Sequence, residues 1–153
     1  MIDIQKHNVY LSLGANIGNR KRTLRQAIEQ IEKLVGVVVR QSAFYETEPW
    51  GFESPNYFLN AAVCVQTVLS PMELLHATQQ IECFLGRTPD TKRNVLSQSS
   101  PEEHPSYHDR IIDIDILLYD DVSLNTPELT IPHPLMYERE FVMQPLREIM
   151  KSE

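Results

Sequence analysis

The stretch His108-Asp109-Arg110-Ile111-Ile112-Asp113-Ile114-Asp115-Ile116-Leu117-Leu118 decides how this chain is read. β-Branched and aliphatic residues dominate it, which favours an extended strand. Side chains in a strand alternate faces. Ile112, Ile114, Ile116 and Leu118 then share one face, and Asp113 and Asp115 share the other, one pleat apart. Two carboxylates that close repel each other and gain nothing from an apolar strand. A shared cation removes the conflict. Hard oxygen ligands suit Mg2+, which takes one or two protein carboxylates and completes its shell with substrate phosphates and water. Arg110, just before them, carries a planar fork matched to phosphate. The competing reading is a half-exposed edge strand whose aspartates are solvated.

Upstream, Val9 to Leu13 reads as a first strand, followed by the glycine-punctuated turn Gly14-Ala15-Asn16-Ile17-Gly18-Asn19. That turn has neither GxGxxG nor a P-loop lysine, so a phosphate loop is disfavoured there. Asn19 is a good N-cap. Behind it Leu24, Ala27, Ile28, Ile31, Leu34 and Val35 recur at helical spacing, and Gly36 is expected to stop the helix in a left-handed conformation. Val37 to Tyr45 reads as a second strand, Glu46 to Asn56 as a loop, and Phe58 to Val68 as a third strand. In that strand Phe58 and Asn60 share one face, and Leu59, Ala61, Val63 and Val65 the other. Ser70-Pro71-Met72-Glu73 is a helix start with a capping box. Leu74, Leu75, Thr78, Ile81 and Leu85 form its apolar stripe, and Gly86 ends it. Beyond the acidic strand, Asp120-Asp121 turns the chain into Val122-Ser123-Leu124, and Asn125 to Pro134 is extended. A tail helix carries Phe141, Val142, Leu146 and Ile149 on its apolar side, with Pro145 expected to break or restart it. The order βαββαβ with a C-terminal helical addition predicts an α+β, ferredoxin-like fold: an antiparallel sheet, helices on one face, and the opposite face free for a site.

Composition narrows the function classes. The 153 residues suit one domain spanning 1–153, and 42% hydrophobic content supports a proper core. No apolar run approaches the roughly 20 residues of a membrane span. The segment Met1 to Lys6 has no hydrophobic signal core, so a cytoplasmic protein without membrane attachment is expected. Cys64 and Cys83 have no metal spacing and are expected to be reduced, buried thiols. A net charge of −7 disfavours broad nucleic-acid binding but leaves room for a local arginine site. Arg87 to His108 is a polar stretch of 22 residues with Pro89, Pro101 and Pro105. Its length and place before the acidic strand predict a lid that closes over bound ligands.

Six segments coincide in order: Leu13-Gly14-Ala15-Asn16-Ile17-Gly18-Asn19-Arg20; Phe44-Tyr45-Glu46-Thr47-Glu48-Pro49-Trp50-Gly51; Phe58-Leu59-Asn60-Ala61-Ala62-Val63; Glu82 with Gly86-Arg87; Asp109-Arg110 with Asp113-Ile114-Asp115-Ile116; and Pro132-His133-Pro134 with Arg139 and Phe141. Together, over roughly residues 8 to 150, they resemble the 6-hydroxymethyl-7,8-dihydropterin pyrophosphokinases of folate biosynthesis. The resemblance implies transfer of diphosphate from ATP to the pterin's hydroxymethyl oxygen, with AMP leaving. It implies two Mg2+ ions on Asp113 and Asp115, and catalytic phosphate contacts from Arg87 and Arg110. Gln79, Glu82, Ile116, Thr130, His133 and Arg139 match further ATP-binding positions. Phe58 and Phe141 match the aromatics that sandwich the pterin. Asn60 matches the amide that reads its polar edge, with Thr47 and Trp50 lining the same pocket. Two departures stand out. Pro89 occupies the place of a second basic residue, for which Lys92 or Arg93 is a substitute, and Tyr107 stands where the family has tryptophan. The partners implied are ATP and the pterin, for a monomer. The competing functions are a non-catalytic ferredoxin-like binding module and another Mg2+-dependent nucleotide enzyme.

Overall fold

The computed structural model describes residues 5–48, 56–86 and 111–150. Trp50, Arg87, Lys92, Arg93, Tyr107, Arg110 and the expected lid lie outside them. Seven strands and three α-helices are present among the described residues: β1 (His7–Ala15), α1 (Arg20–Leu34), β2 (Gly36–Gln41), β3 (Tyr45–Thr47), β4 (Phe58–Thr67), α2 (Pro71–Phe84), β5 (Asp113–Tyr119), β6 (Leu124–Asn125), β7 (Thr130–Ile131) and α3 (Glu140–Met150). The main sheet runs β2-β4-β1-β5, with β3 pairing on the end of β4. Every pairing in it is antiparallel. This is the ferredoxin-like order expected from βαββαβ.

Two hydrophobic layers flank the sheet. Val9, Leu11 and Leu13 of β1, Ala61, Val63 and Val65 of β4 and Ile112, Ile114 and Ile116 pack against Leu24, Ala27 and Ile31 of α1 and Leu74 and Ile81 of α2. On the other face Ala62, Cys64 and Leu117 pack against Met136, Val142, Leu146 and Ile149. The second face is therefore half covered by α3. Among the described residues the sheet positions in that layer are Tyr10, Ala62, Cys64, Leu117 and Leu118, and Gly14, Phe58 and Asp113, at the other end of the same face, are not part of it.

Local chemistry explains where the helices start. The Asn19 side chain accepts from the Arg22 N–H, and Ser70 and Glu73 complete a reciprocal capping box. Gly86, with φ of 121°, closes α2 in the left-handed region.

Six expectations need correction. Gly36 is not a left-handed helix stop but the first residue of β2: a Cβ there would lie 1.9 Å from the Gln66 carbonyl oxygen, so its role is close backbone approach to β4. Leu34 falls off the buried stripe and is exposed. The single strand from Val37 to Tyr45 is two, β2 and β3. They are separated by Ser42, whose N–H donates to the Ala62 carbonyl and whose hydroxyl accepts from the Ala62 N–H. Cys83 is exposed, whereas Cys64 is buried as expected. Leu118 does not share a face with Ile112, Ile114 and Ile116. The register slips between Leu11↔Ile116 and Tyr10↔Leu118, so Leu117 is an extra residue, and both it and Leu118 turn toward α3. Pro145 neither breaks nor restarts α3; the helix continues through it. Losing one helical bond and crowding the previous turn costs about 3 kcal/mol. Burial of Pro145 itself with Leu146 and Ile149 offsets that cost.

Candidate active site

The site follows from register. Gly14 of β1 sits opposite Asn60 on β4 and opposite Asp113 on β5. One pleat on, Ser12 sits between Ala62 and Asp115. Cross-strand partners project on one face, so Asn60, Asp113 and Asp115 share one face of the sheet. Strands lie about 4.8 Å apart, which puts Asn60 and Asp113 roughly 10 Å from each other across the bare Gly14. Phe58 precedes Asn60 on the same face and pairs with Thr47 of β3.

Asn60 is almost fully buried, and its Nδ2 donates to the Thr47 Oγ1 at 2.6 Å. The bond meets the need of a buried amide for a partner and fixes the plane of its amide. Strand β3, which supplies Thr47, is held from outside by α3. The Ala43 N–H and the Tyr45 hydroxyl both donate to the Glu148 carboxylate. Tyr45 ionises at higher pH than a free phenol because of its bond to Glu148, then burial, then that residue's charge.

Asp113 and Asp115 are half-buried on the strand at the edge of the sheet. Their Cα atoms are roughly 6.6 Å apart at strand spacing. Their mutual repulsion lies between about 0.5 and 2.5 kcal/mol, depending on the local dielectric. Between them, the Ile114 N–H points off the sheet edge and donates to Oε2 of the buried Glu82 at 2.8 Å. Glu82 thus ties α2 to the strand that displays both aspartates. Ile116, two residues on, turns its side chain into the core and its backbone toward the same outer edge. Gln79 is exposed on α2. Thr130 is half-exposed on β7, its hydroxyl 3.4 Å from Asn125 Oδ1.

His133 is anchored to β5 through the inserted residue. Its N–H donates to the Leu117 carbonyl at 3.1 Å, and its ring Nδ1 accepts from the Leu135 N–H at 3.3 Å. The neutral ring therefore carries its hydrogen on Nε2. Burial pushes the His133 pKa down, and the Arg139 guanidinium lowers it further, while Asp113 pulls it partly back. These causes place His133, Arg139 and Asp113 in one electrostatic neighbourhood. Arg139 is itself buried, with its guanidinium 5.8 Å from the Phe141 ring centroid, within cation–π range. Phe141 packs on the α3 layer, the layer that contains Ala62, and so lies on the face that carries Phe58 and Asn60.

The donor set fits Mg2+. Two carboxylates share one open face, and among the described residues no third His, Cys, Asp or Glu joins them. Such a pair leaves most of an octahedral shell to phosphate oxygens and water. Sequence reasoning missed Gly14 and Ser12 as members of this face. Both become visible only once the register places them between the amide and the aspartates.

Comparison with known proteins identifies the family. A family model described as 7,8-dihydro-6-hydroxymethylpterin-pyrophosphokinase (HPPK) matches residues 10–151. A Porphyromonas gingivalis protein named 2-amino-4-hydroxy-6-hydroxymethyldihydropteridine pyrophosphokinase is 48% identical over 142 residues, which is 92% of this chain and 89% of that protein. The Bacillus subtilis protein of the same name is 43% identical over 144 residues, covering 94% and 78%. Among solved structures, an HPPK-DHPS chain in complex with substrates aligns with a TM-score of 0.67 at 17% identity, over 95% of this chain and 40% of that one. Plasmodium falciparum HPPK-DHPS aligns with a TM-score of 0.66 at 18% identity, covering 91% and 40%. At such identity the likeness is one of fold, and this chain spans 40% of those longer ones. With a family model running nearly its whole length and two bacterial relatives above 40% identity, the chain belongs to the 7,8-dihydro-6-hydroxymethylpterin-pyrophosphokinase family.

Proposed function

We infer that the protein transfers diphosphate from ATP to the hydroxymethyl group of 6-hydroxymethyl-7,8-dihydropterin, releasing AMP, in folate biosynthesis. The observation that carries this reading is the row Asn60–Gly14–Asp113, which sets a heterocycle-reading amide and a phosphate-side carboxylate on one face, two strands apart. The pterin lies against Phe58 and Phe141 with its polar edge on Asn60, beside Thr47, and Trp50 is assigned to the same pocket on sequence grounds. Its hydroxymethyl group then extends across β1, over Gly14, toward Asp113 and Asp115. The hydroxyl oxygen bonds to the β-phosphorus of ATP, the bond from that phosphorus to the α–β bridging oxygen breaks, and AMP leaves while the hydroxyl proton passes to solvent.

Phosphoryl chemistry asks a protein mainly for positioning and charge neutralisation. Asp113 and Asp115 would hold two Mg2+ ions, which when bound would neutralise charge on the triphosphate oxygens. Arg139 adds positive charge, and the neutral His133 offers an Nε2–H donor. Arg87 and Arg110 are assigned to the phosphates on sequence grounds. Adenine is read by the outward backbone groups of Ile116, and the ribose lies by Thr130, with Gln79 and Glu82 on the nucleotide side of α2. The protein acts as a cytoplasmic monomer. Among the described residues no helix is long and apolar enough to cross a membrane.

The test is product identification. Protein, MgATP and the hydroxymethyldihydropterin should yield AMP and the pterin diphosphate. ADP, or no turnover with folded protein, would overturn the assignment.

A further inference from the structure

Asn60 is gripped from two sides. Its Nδ2 is bonded to the Thr47 hydroxyl at 2.6 Å. On the other side its Oδ1 lies over Gly14, where a Cβ would come within 3.1 Å of it and 3.6 Å from Phe58 Cδ1. Gly14 is the penultimate residue of β1 and has no positive φ, so backbone strain does not call for glycine at this position. What calls for it is the space above. Few real Cβ contacts are as close as 3.1 Å, so a side chain at 14 requires Asn60 to move. The amide has little freedom to do so, because retreat from Gly14 presses it against Thr47.

We propose that Gly14 is a positioning residue for the pterin subsite: its bare Cα is the floor that sets the height and plane of the Asn60 amide and of the Phe58 ring edge. This rests on the functional reading above and deepens it. The same bare position lies between Asn60 and Asp113, so the floor also keeps clear the path along which the hydroxymethyl arm reaches the carboxylates. The subsite's selectivity then depends on three residues from three strands: Thr47 on β3, Asn60 on β4 and Gly14 on β1. Of these, Gly14 does not itself supply a polar group to the ligand.

The test is a cycle of Gly14→Ala and Asn60→Ser, assayed for pterin and ATP separately. Serine is too short to reach the added methyl. G14A should raise the pterin KM by about tenfold, the scale of one displaced hydrogen bond, and leave the ATP KM within about twofold. In the N60S background the same change should alter the pterin KM by less than about twofold. Wild-type pterin KM in G14A, or an equal loss in both backgrounds, would overturn the proposal. If G14A alone fails to fold, folding of G14A/N60S supports the contact, and failure of both refutes it. The Asn60 side-chain amide resonances of the unliganded proteins give a readout independent of turnover. They should shift in G14A, and unchanged resonances refute the contact. Failure of the wild type to make AMP would instead sink the functional reading.

Discussion

At the residue scale the site is a set of paired demands. Asp113 and Asp115 oppose each other until a cation arrives. Asp113→Asn or Asp115→Asn should therefore reduce turnover by at least about a hundredfold, or about 3 kcal/mol of transition-state stabilisation, with the fold intact. The metal-free variants should melt at the wild-type temperature or slightly above it, because a repulsion is gone. Near-normal Mg2+-dependent activity in either variant would refute the assignment. His133 makes a separate demand. Its folded-state pKa lies below the ordinary 6.5, chiefly through burial. The neutral ring is therefore compatible with the fold above that value. As pH falls through 6.5 toward the folded value, the unfolded chain takes up the proton first, and stability is lost. His133→Gln should flatten the fall of melting temperature between about pH 7 and pH 5. A profile parallel to wild type would show that this ring does not contribute.

At the element scale β5 is an edge strand with a partner of its own. Glu82→Leu removes the acceptor for the Ile114 N–H, and stranding that buried donor costs about 1–3 kcal/mol. Because Ile114 lies between the two aspartates, the variant should need a higher Mg2+ concentration for half-maximal kcat, and Glu82→Gln, which keeps an oxygen, should restore most of it. A wild-type Mg2+ titration for E82L would refute this positioning role. Elements specified by local chemistry were legible in the sequence. Ser70, Pro71 and Glu73 predict the start of α2, and Asn19 predicts the start of α1, because caps act within one turn. Asn60 was legible as a polar residue on a small, apolar strand face. Gly36 and Pro145 were misread because tertiary context decides their roles: the Gln66 carbonyl in one case, burial of the ring in the other. Gly14 was legible only as part of a turn, since the side chain that needs its empty space lies on another strand.

At the scale of the whole molecule, one sheet carries two unequal layers. α1 and α2 close one face, and α3 closes only half of the other. On the proposed function both substrates bind to the folded state alone, so they should stabilise it together. A non-reactive ATP analogue, Mg2+ and the pterin, each at about 100 times its Kd, should raise the melting temperature by at least about 5 °C. EDTA should remove the nucleotide's share and leave the pterin's smaller one. A shift that ignores EDTA would mean that the aspartate pair is not the link between nucleotide and fold.

The inserted Leu117 gives β5 two parities. Before it, odd-numbered residues lie on the face that carries Asn60 and even-numbered ones face the core; after it, the odd-numbered Tyr119 enters the core and donates its hydroxyl to the Leu69 carbonyl. A uniform alternation could not satisfy both ends. The number of residues between Asp115 and Tyr119 is thus fixed by geometry, although what each one is leaves some latitude. Trimming Leu117 to alanine changes a volume. Deleting it changes the parity, which sets the carboxylates against the core or Tyr119 against α3, and it takes away the carbonyl on which His133 hangs. In a chain whose loops can absorb a residue at little cost, this short span at the margin of the sheet is the place where length itself carries the information.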